Sequence, residues 1–285
     1  MKELLVISGK GGTGKTTVVG SFAALARDAA LADADVDAPN LHLLLAPQIR
    51  EERPYSGAEL AAVDEDACTR CGRCEEVCRF AAVRGHQVDA RRCEGCGVCA
   101  LVCPAGAITM RPQTSGRIFV SDTRYGPLTH ARLLAGAEAT GRLVTEVRRL
   151  ARQTADRAGA HLLLTDGSPG IGCPVIASLA GVDAALVVTE PSPSGIHDLQ
   201  RVLQVAAHFR VPAAVCVNKW DINPEVADQA AECARSAGAC VLGRVPFDEA
   251  VSAAISEGVP LVEASTGPAA RAVEALWDRV ARELA

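Results

Sequence analysis

Unbroken apolar runs of about six residues, separated by helical lengths of chain, set the pattern of this sequence. ELLVIS at 3 to 8, AALADADVD at 29 to 37, HLLLTD at 161 to 166, ALVVTEP at 185 to 191, AAVCVNK at 213 to 219 and CVLGRVP at 240 to 246 read as strands. Runs this short and this apolar are buried on both faces. With helices between them they predict an α/β fold: a mostly parallel sheet, helices on both faces, right-handed crossovers. Residues 15 to 27 and about 129 to 158 read as helices. At the end of the chain Val273, Leu276, Trp277, Val280 and Leu284 share one helical face. The opposite face is charge-balanced (Glu274, Asp278, Arg279, Arg282, Glu283), which suits docking on the protein's own sheet better than an anionic membrane.

The pattern breaks in the middle. Pro47, Pro54 and Gly57 mark a linker, a cysteine-rich block follows, and Pro112, Ser115 and Gly116 mark its exit. The alternation then resumes, so the expected organisation is a discontinuous domain of residues 1–57 and 113–285 with an insertion at 58–112. The only internal repeat lies inside that insertion.

Composition narrows the function classes. A net charge of −5 and nine aromatic residues in 285 argue against a nucleic-acid partner, which asks for a basic field and stacking platforms. No apolar run approaches a membrane span, and MKELLVISG reads as a buried strand, not a secretion signal. A cytoplasmic location without stable membrane association is expected, and there twelve cysteines point to metal or redox use more than to disulfides. Of 29 basic residues only four are lysines, at 2, 10, 15 and 219, and three of these fall in nucleotide-type motifs. A slim ammonium fits such sites where a guanidinium does not.

GKGGTGKTT at 9 to 17 lies between a strand and a helix and carries the full phosphate-loop pattern. Gly11, Gly12 and Gly14 let backbone amides turn inward at the positive end of the helix, with Thr13 and Thr17 flanking. Lys15 is placed for the β/γ-phosphates and Thr16 for Mg²⁺.

The insertion holds Cys68, Cys71, Cys74, Cys78 and then Cys93, Cys96, Cys99, Cys103, twice C-x2-C-x2-C-x3-C. This is the bacterial ferredoxin spacing, in which each fourth cysteine ligates the other run's cluster. It assigns one [4Fe–4S] cluster to Cys68, Cys71, Cys74 and Cys103, and the other to Cys93, Cys96, Cys99 and Cys78. Zinc sites usually take separated C-x2-C pairs. Pro104 follows the second run as that pattern has it, while Arg79 stands in the matching place after the first. Electron transfer, cluster handling and a purely structural role all remain open to such a pair. Cys173, in PGIGCPV, is either a shared metal ligand at a dimer face or a small buried residue at a helix start.

The early Lys10 in K-G-G-x-G-K-T resembles the deviant phosphate loop of the MinD, ParA and nitrogenase iron-protein superfamily. GPLTHARL at 126 to 133 and EPSPSGIHD at 190 to 198 resemble its members that carry an inserted ferredoxin domain. The resemblance covers nearly the whole chain and implies a Mg-ATP hydrolase that closes as a homodimer, or as a heterodimer with a related ATPase. It implies that Lys10 reaches phosphate across the dimer, that Asp35 positions the attacking water near Mg²⁺, and that Asp166 in TDGSPG holds Mg²⁺. Of Asp33 and Asp37, one is left to touch Mg²⁺ through water and the other to cap a helix. Gly170 would sense the γ-phosphate, with Ser168 replacing the family's more usual proline. Asn218, Pro246 and Phe247 would contact adenine, although Asn218-Lys219-Trp220-Asp221 also matches the guanine-reading signature. The function so implied is ATP-dependent electron transfer or metallocluster delivery to a redox or metallocluster-binding protein. A positioning switch with structural clusters and a redox sensor that regulates the ATPase are the alternatives.

Overall fold

Aliphatic runs become strands wherever helices cover both of their faces. The computed structural model describes residues 1–137 and 140–283. Along these the strands are β1 (Lys2–Ser8), β2 (Ala29–Ala34), β3 (Gln48–Tyr55), β4 (Ala58–Val63), β5 (Val83–Arg84), β6 (Gln87–Val88), β7 (Ile108–Gln113), β8 (Gly116–Thr123), β9 (Gly126–Leu133), β10 (Leu162–Pro169), β11 (Ala184–Thr189), β12 (Ala213–Asn218) and β13 (Cys240–Val245). The chain divides into two units, one of Met1–Arg53, Ile118–Leu133 and Glu138–Ala285, the other of Pro54–Arg117 and Leu134–Ala137.

The first unit is built on a sheet ordered β13-β12-β11-β1-β10-β2-β9-β8-β3. Every neighbouring pair from β13 to β9 is parallel. Alternate residues of β1 feed opposite cores. Leu4 and Val6 pack with Phe22, Leu41 and Val273 on one face, and Leu5 and Ile7 with Val175, Leu199 and Ala227 on the other. The helix predicted from 129 differs from what forms: Gly126–Leu133 is β9, and the helix runs over Gly141–Ala158, opened by a Thr140 side-chain cap. The predicted linker at 47 to 57 is likewise mostly β3. Neither strand has an apolar run. β9 buries Thr129 and His130 among its inward residues, and β3 is a charged edge, which blunts unwanted strand pairing. The final helix runs over Pro268–Glu283 and buries Val273, Leu276 and Val280 against this unit's own core; Leu284 lies outside the described residues. No described helix is long and apolar enough to cross a membrane.

A buried charge ties two helices on one face of this sheet to its central strand. Glu3 of β1 accepts from Arg148 at 2.8 and 3.0 Å, from Arg152 Nε at 2.7 Å and from Thr165 Oγ1 at 3.0 Å. Arg148 also donates to the carbonyls of Ala177 and Ala180, at the end of the helix Cys173–Leu179. Every lone pair of the buried carboxylate is engaged, the condition under which such a charge is tolerated.

The second unit is small. β4 and β7 pair antiparallel from Ala58↔Gln113 to Val63↔Ile108, β5 and β6 form a minimal hairpin, and two single-turn helices, Arg73–Glu76 and Val98–Leu101, follow the paired cysteines. One buried cluster is Ala61, Cys99 and Ile108, with Cys74, Cys93 and Cys103 among the half-buried residues against it, and Tyr55, Ala82, Val83 and Ala107 are buried as well. The cysteines are thus part of the core itself.

Two predictions follow from the first unit, which contains both tryptophans, Trp220 and Trp277, so that their fluorescence reports it alone. Arg148→Leu strands Glu3 in the interior and should cost about 3–5 kcal/mol in urea unfolding, while Glu3→Leu with Arg148→Leu recovers much of it. The second concerns His130, stacked between His42 at 5.3 Å and Phe119 at 5.0 Å. Burial, with His42 and Arg132 nearby, holds its pKa down to about 4. As pH falls below the ordinary value near 6.5 the unfolded chain takes the proton first, so stability present above that pH is lost toward pH 4. In His130→Phe this acid limb of the stability curve should be flatter.

Candidate functional site

Three strand ends converge on the helix that opens at Lys15. Parallel register sets Val6 of β1 beside Asp166 of β10, and Asp166 beside Asp33 of β2. The loop after β1 turns through Gly12 and Gly14, both at positive φ, into the helix Lys15–Leu25. At Gly14 a Cβ would lie 2.3 Å from Asn218 Nδ2, so a side chain is excluded there on both counts. The resulting cleft is walled by residues 11 to 17, Asp35, Asp37, Ser168, Pro169 and the start of the Cys173–Leu179 helix.

Lys15 is the one cation among buried carboxylates in this cleft. Its ammonium lies 3.3 Å from Asp35 Oδ2 and 3.8 Å from Asp166 Oδ1, and Thr16 Oγ1 donates to Asp166 Oδ2 at 2.6 Å. Burial pushes the Lys15 pKa down, but Asp166 and Asp35 push it up and prevail. Burial raises Asp166 and Asp35, with the Lys15 ammonium only partly offsetting it. Asp35 Oδ1, Asp166 Oδ1 and Thr13 Oγ1 are buried without hydrogen-bond partners. Unsatisfied carboxylate and hydroxyl oxygens beside a surplus of negative charge are a hard-cation donor set, and Mg²⁺ with its waters fits them. Asp33 does a different job. Its carboxylate accepts the amides of Asp35 and Leu41, which fixes the loop and the first turn of Leu41–Leu45. The capping role therefore falls to Asp33, and Asp37 is the exposed residue on the cleft wall.

Lys10 is not on that wall. Its ammonium is held 2.7 Å from Glu190 and 3.1 Å from the hydroxyls of Ser192 and Ser194. Lys219 reaches the same carboxylate at 3.5 Å and donates to the Gly12 carbonyl at 3.1 Å. Partial burial raises the Glu190 pKa, but Lys10 and Lys219 outweigh it and the net direction is down. In the sequence Glu190 and the two serines stand out only through the EPSPSGIHD resemblance, which gives none of them a role, and through their place just past β11. Gly170 also lies off the cleft wall, its amide donating to Ser8 O at 2.8 Å. Asn218 Nδ2 donates to Thr13 O at 2.8 Å, and Asp221 Oδ1 accepts the Phe247 amide at 2.7 Å, so residues 218–221 and Pro246-Phe247 form one connected rim.

In the second unit eight cysteines line two cavities. Cys78, Cys93, Cys96 and Cys99 line one; Cys68, Cys71, Cys74 and Cys103 line the other. Each fourth cysteine thus faces the other run's three. Among the described residues no three His, Cys, Asp or Glu side chains are gathered as a single ion requires. The halves repeat in detail. Cys78 Sγ accepts the Ala82 amide and Cys103 Sγ the Ala107 amide, both at 3.3 Å. Arg70 and Ala81 adopt positive φ where Gly95 and Gly106 stand in the second half. At Cys78 burial raises the pKa, but the amides of residues 80 to 83 outweigh it and favour the thiolate. Burial raises Cys74 and Cys99. Cys173 is exposed, beside the cleft.

The model of the CobQ/CobB/MinD/ParA nucleotide-binding domain matches residues 4–261. The uncharacterized protein MJ0578 of Methanocaldococcus jannaschii is 33% identical over 224 residues, covering 78% of this chain and 79% of that protein. An iron-sulfur cluster carrier protein of the same organism is 22% identical, over 91% of this chain and 77% of its own. The septum site-determining protein MinD of Pyrococcus horikoshii, solved with Mg-ADP, shares the fold with a TM-score of 0.60 and 17% identity, covering 98% of this chain and 95% of that one.

The cleft makes its own prediction. Asp166→Asn keeps an acceptor for Thr16 but removes a charge, so calorimetric titration should show the Mg²⁺-dependent part of nucleotide affinity falling about tenfold or more.

Proposed function

The chain belongs to the CobQ/CobB/MinD/ParA nucleotide-binding family, and from that premise we propose that it is a dimeric Mg-ATP hydrolase coupled to two [4Fe–4S] clusters. The observation that carries this reading is the crossed sorting of eight cysteines into two cavities of one chain that also has a complete phosphate loop. Two C-x2-C-x2-C-x3-C runs, each lending its fourth cysteine to the other's cavity, suit polynuclear clusters better than zinc, which usually takes separated C-x2-C pairs. Cys68, Cys71, Cys74 and Cys103 would hold one cluster, and Cys78, Cys93, Cys96 and Cys99 the other. When bound, such clusters supply one-electron transfer.

In the ATPase the glycine-loop amides cradle the phosphates and Lys15 neutralises them. Thr16, Asp35 and Asp166 hold Mg²⁺ and its waters, and Asp35 orients the attacking water. Lys10 leaves Glu190, Ser192 and Ser194 on dimer closure and places its charge on the partner's transferring phosphoryl group. Asp221 is engaged with the Phe247 amide, which supports adenine over guanine, since a guanine reader needs that carboxylate free for the base. Similarity to a protein named as an iron-sulfur cluster carrier supports cluster chemistry in general. Cysteines built into the unit's core favour resident clusters and electron transfer over delivery of a cluster as cargo.

An anaerobic EPR redox titration with and without a non-hydrolysable Mg-ATP analogue tests the coupling. The expected result is a shift on the order of tens of millivolts, or a changed cluster signal, on adding nucleotide. Lys10→Ala should retain nucleotide binding and lower turnover by about 10³-fold or more. Unchanged potentials and signals would leave structural clusters and a positioning role, and cluster-dependent turnover without a nucleotide-dependent potential would favour a redox sensor.

A further inference from the structure

We infer that the wall of the Cys78, Cys93, Cys96 and Cys99 cavity is the docking face for a one-electron carrier whose contact surface is apolar and bordered by carboxylates. The inference rests on the cluster reading above and adds which cavity faces the partner and what that partner presents.

The two cavities differ in what surrounds them. Phe80 and Val98 line the Cys78 cavity and are nonetheless 47% and 41% exposed. Leu101, one helical turn from Val98 on the same face, is 86% exposed. Three large apolar side chains left in water beside a cysteine cavity form the kind of patch that marks a protein contact. The Cys68 cavity has Thr69, Arg73 and His86 on its wall instead, and its apolar members include the buried Ile108.

The walls themselves carry one charge each, Glu94 at the Cys78 cavity and Arg73 at the other, and the charge around them is uneven along the chain. Residues 54 to 78 hold six carboxylates and two arginines, whereas residues 79 to 117 hold six arginines and two carboxylates. Arg79, Arg84, Arg91 and Arg92 are exposed, and Arg91 and Arg92 share the one carboxylate of Asp89. Arg84 and Arg92 line a polar groove that has Ala82 in common with the Cys78 cavity, so the basic surface adjoins the apolar wall. An apolar centre with a basic border selects an acidic partner and speeds its approach.

The test uses the full chain with clusters loaded and an acidic flavodoxin as probe, with affinity read by fluorescence anisotropy at low and high salt. A complex should form at low salt and weaken as salt rises, and Leu101→Ser and Phe80→Ser should each weaken it about tenfold. Arg73→Ala, on the other cavity's wall, should leave it unchanged. The absence of a complex at low salt, a complex indifferent to Leu101 and Phe80, or a preference for a basic cytochrome c would each overturn the inference. Iron and sulfide analysis of the same sample separates the two readings. A loaded chain with roughly eight irons that ignores the probe fails the docking inference alone, and a chain without iron fails both.

Discussion

Three carboxylates in the interior around a single ammonium are the constraint on which the nucleotide-binding unit depends. Left alone, buried like charges repel and protonate. The parallel register of β1, β10 and β2 nevertheless sets Asp166 and Asp33 side by side, and Asp35 two residues on. Each is answered differently. Asp33 is satisfied by backbone amides, Asp35 and Asp166 share Lys15, and one oxygen of each of the latter two stays unsatisfied. The fold holds a surplus of negative charge that a divalent cation would relieve, at the carboxyl ends of the strands where open parallel sheets bind ligands.

What could be read from the sequence was set by range. The phosphate loop and the two cysteine runs declare themselves because their chemistry is written in spacings of a few residues. The central strands were legible because both faces are buried, so their apolar runs are continuous. β3, β8 and β9 were not. Their inward positions include Ser121, Thr129 and His130, polar residues whose burial comes from neighbours distant in sequence. The same holds for Lys10. Its motif was plain, but its resting partner lies 180 residues away at Glu190, in a segment with no spacing rule of its own. Glu3, which organises five hydrogen bonds from and around Arg148 and Arg152, reads locally as one charged residue at the start of a strand.

The cysteine-rich unit solves a different problem. With seven buried apolar residues, three of them alanine and one a cysteine of the paired runs, besides Tyr55, Val83 and Ile108, it has too little apolar surface to order about 70 residues unaided. Its stability and its chemistry therefore draw on the same side chains, a relation absent from the other unit, where core and cleft are separate sets.

The repeated halves of that unit meet the same backbone requirement with different residues. Arg70 and Ala81 hold left-handed torsions of 57° and 49°, while their counterparts Gly95 and Gly106 hold 64° and 62°. The Glu59 carbonyl fixes Gly95, since a Cβ there would come within 2.4 Å of it. The two halves thus share a backbone path, although two positions of the first carry residues that bear the strain of that path. For an engineer the second half serves as a worked answer key: it already names glycine as the residue that fits at 70 and 81.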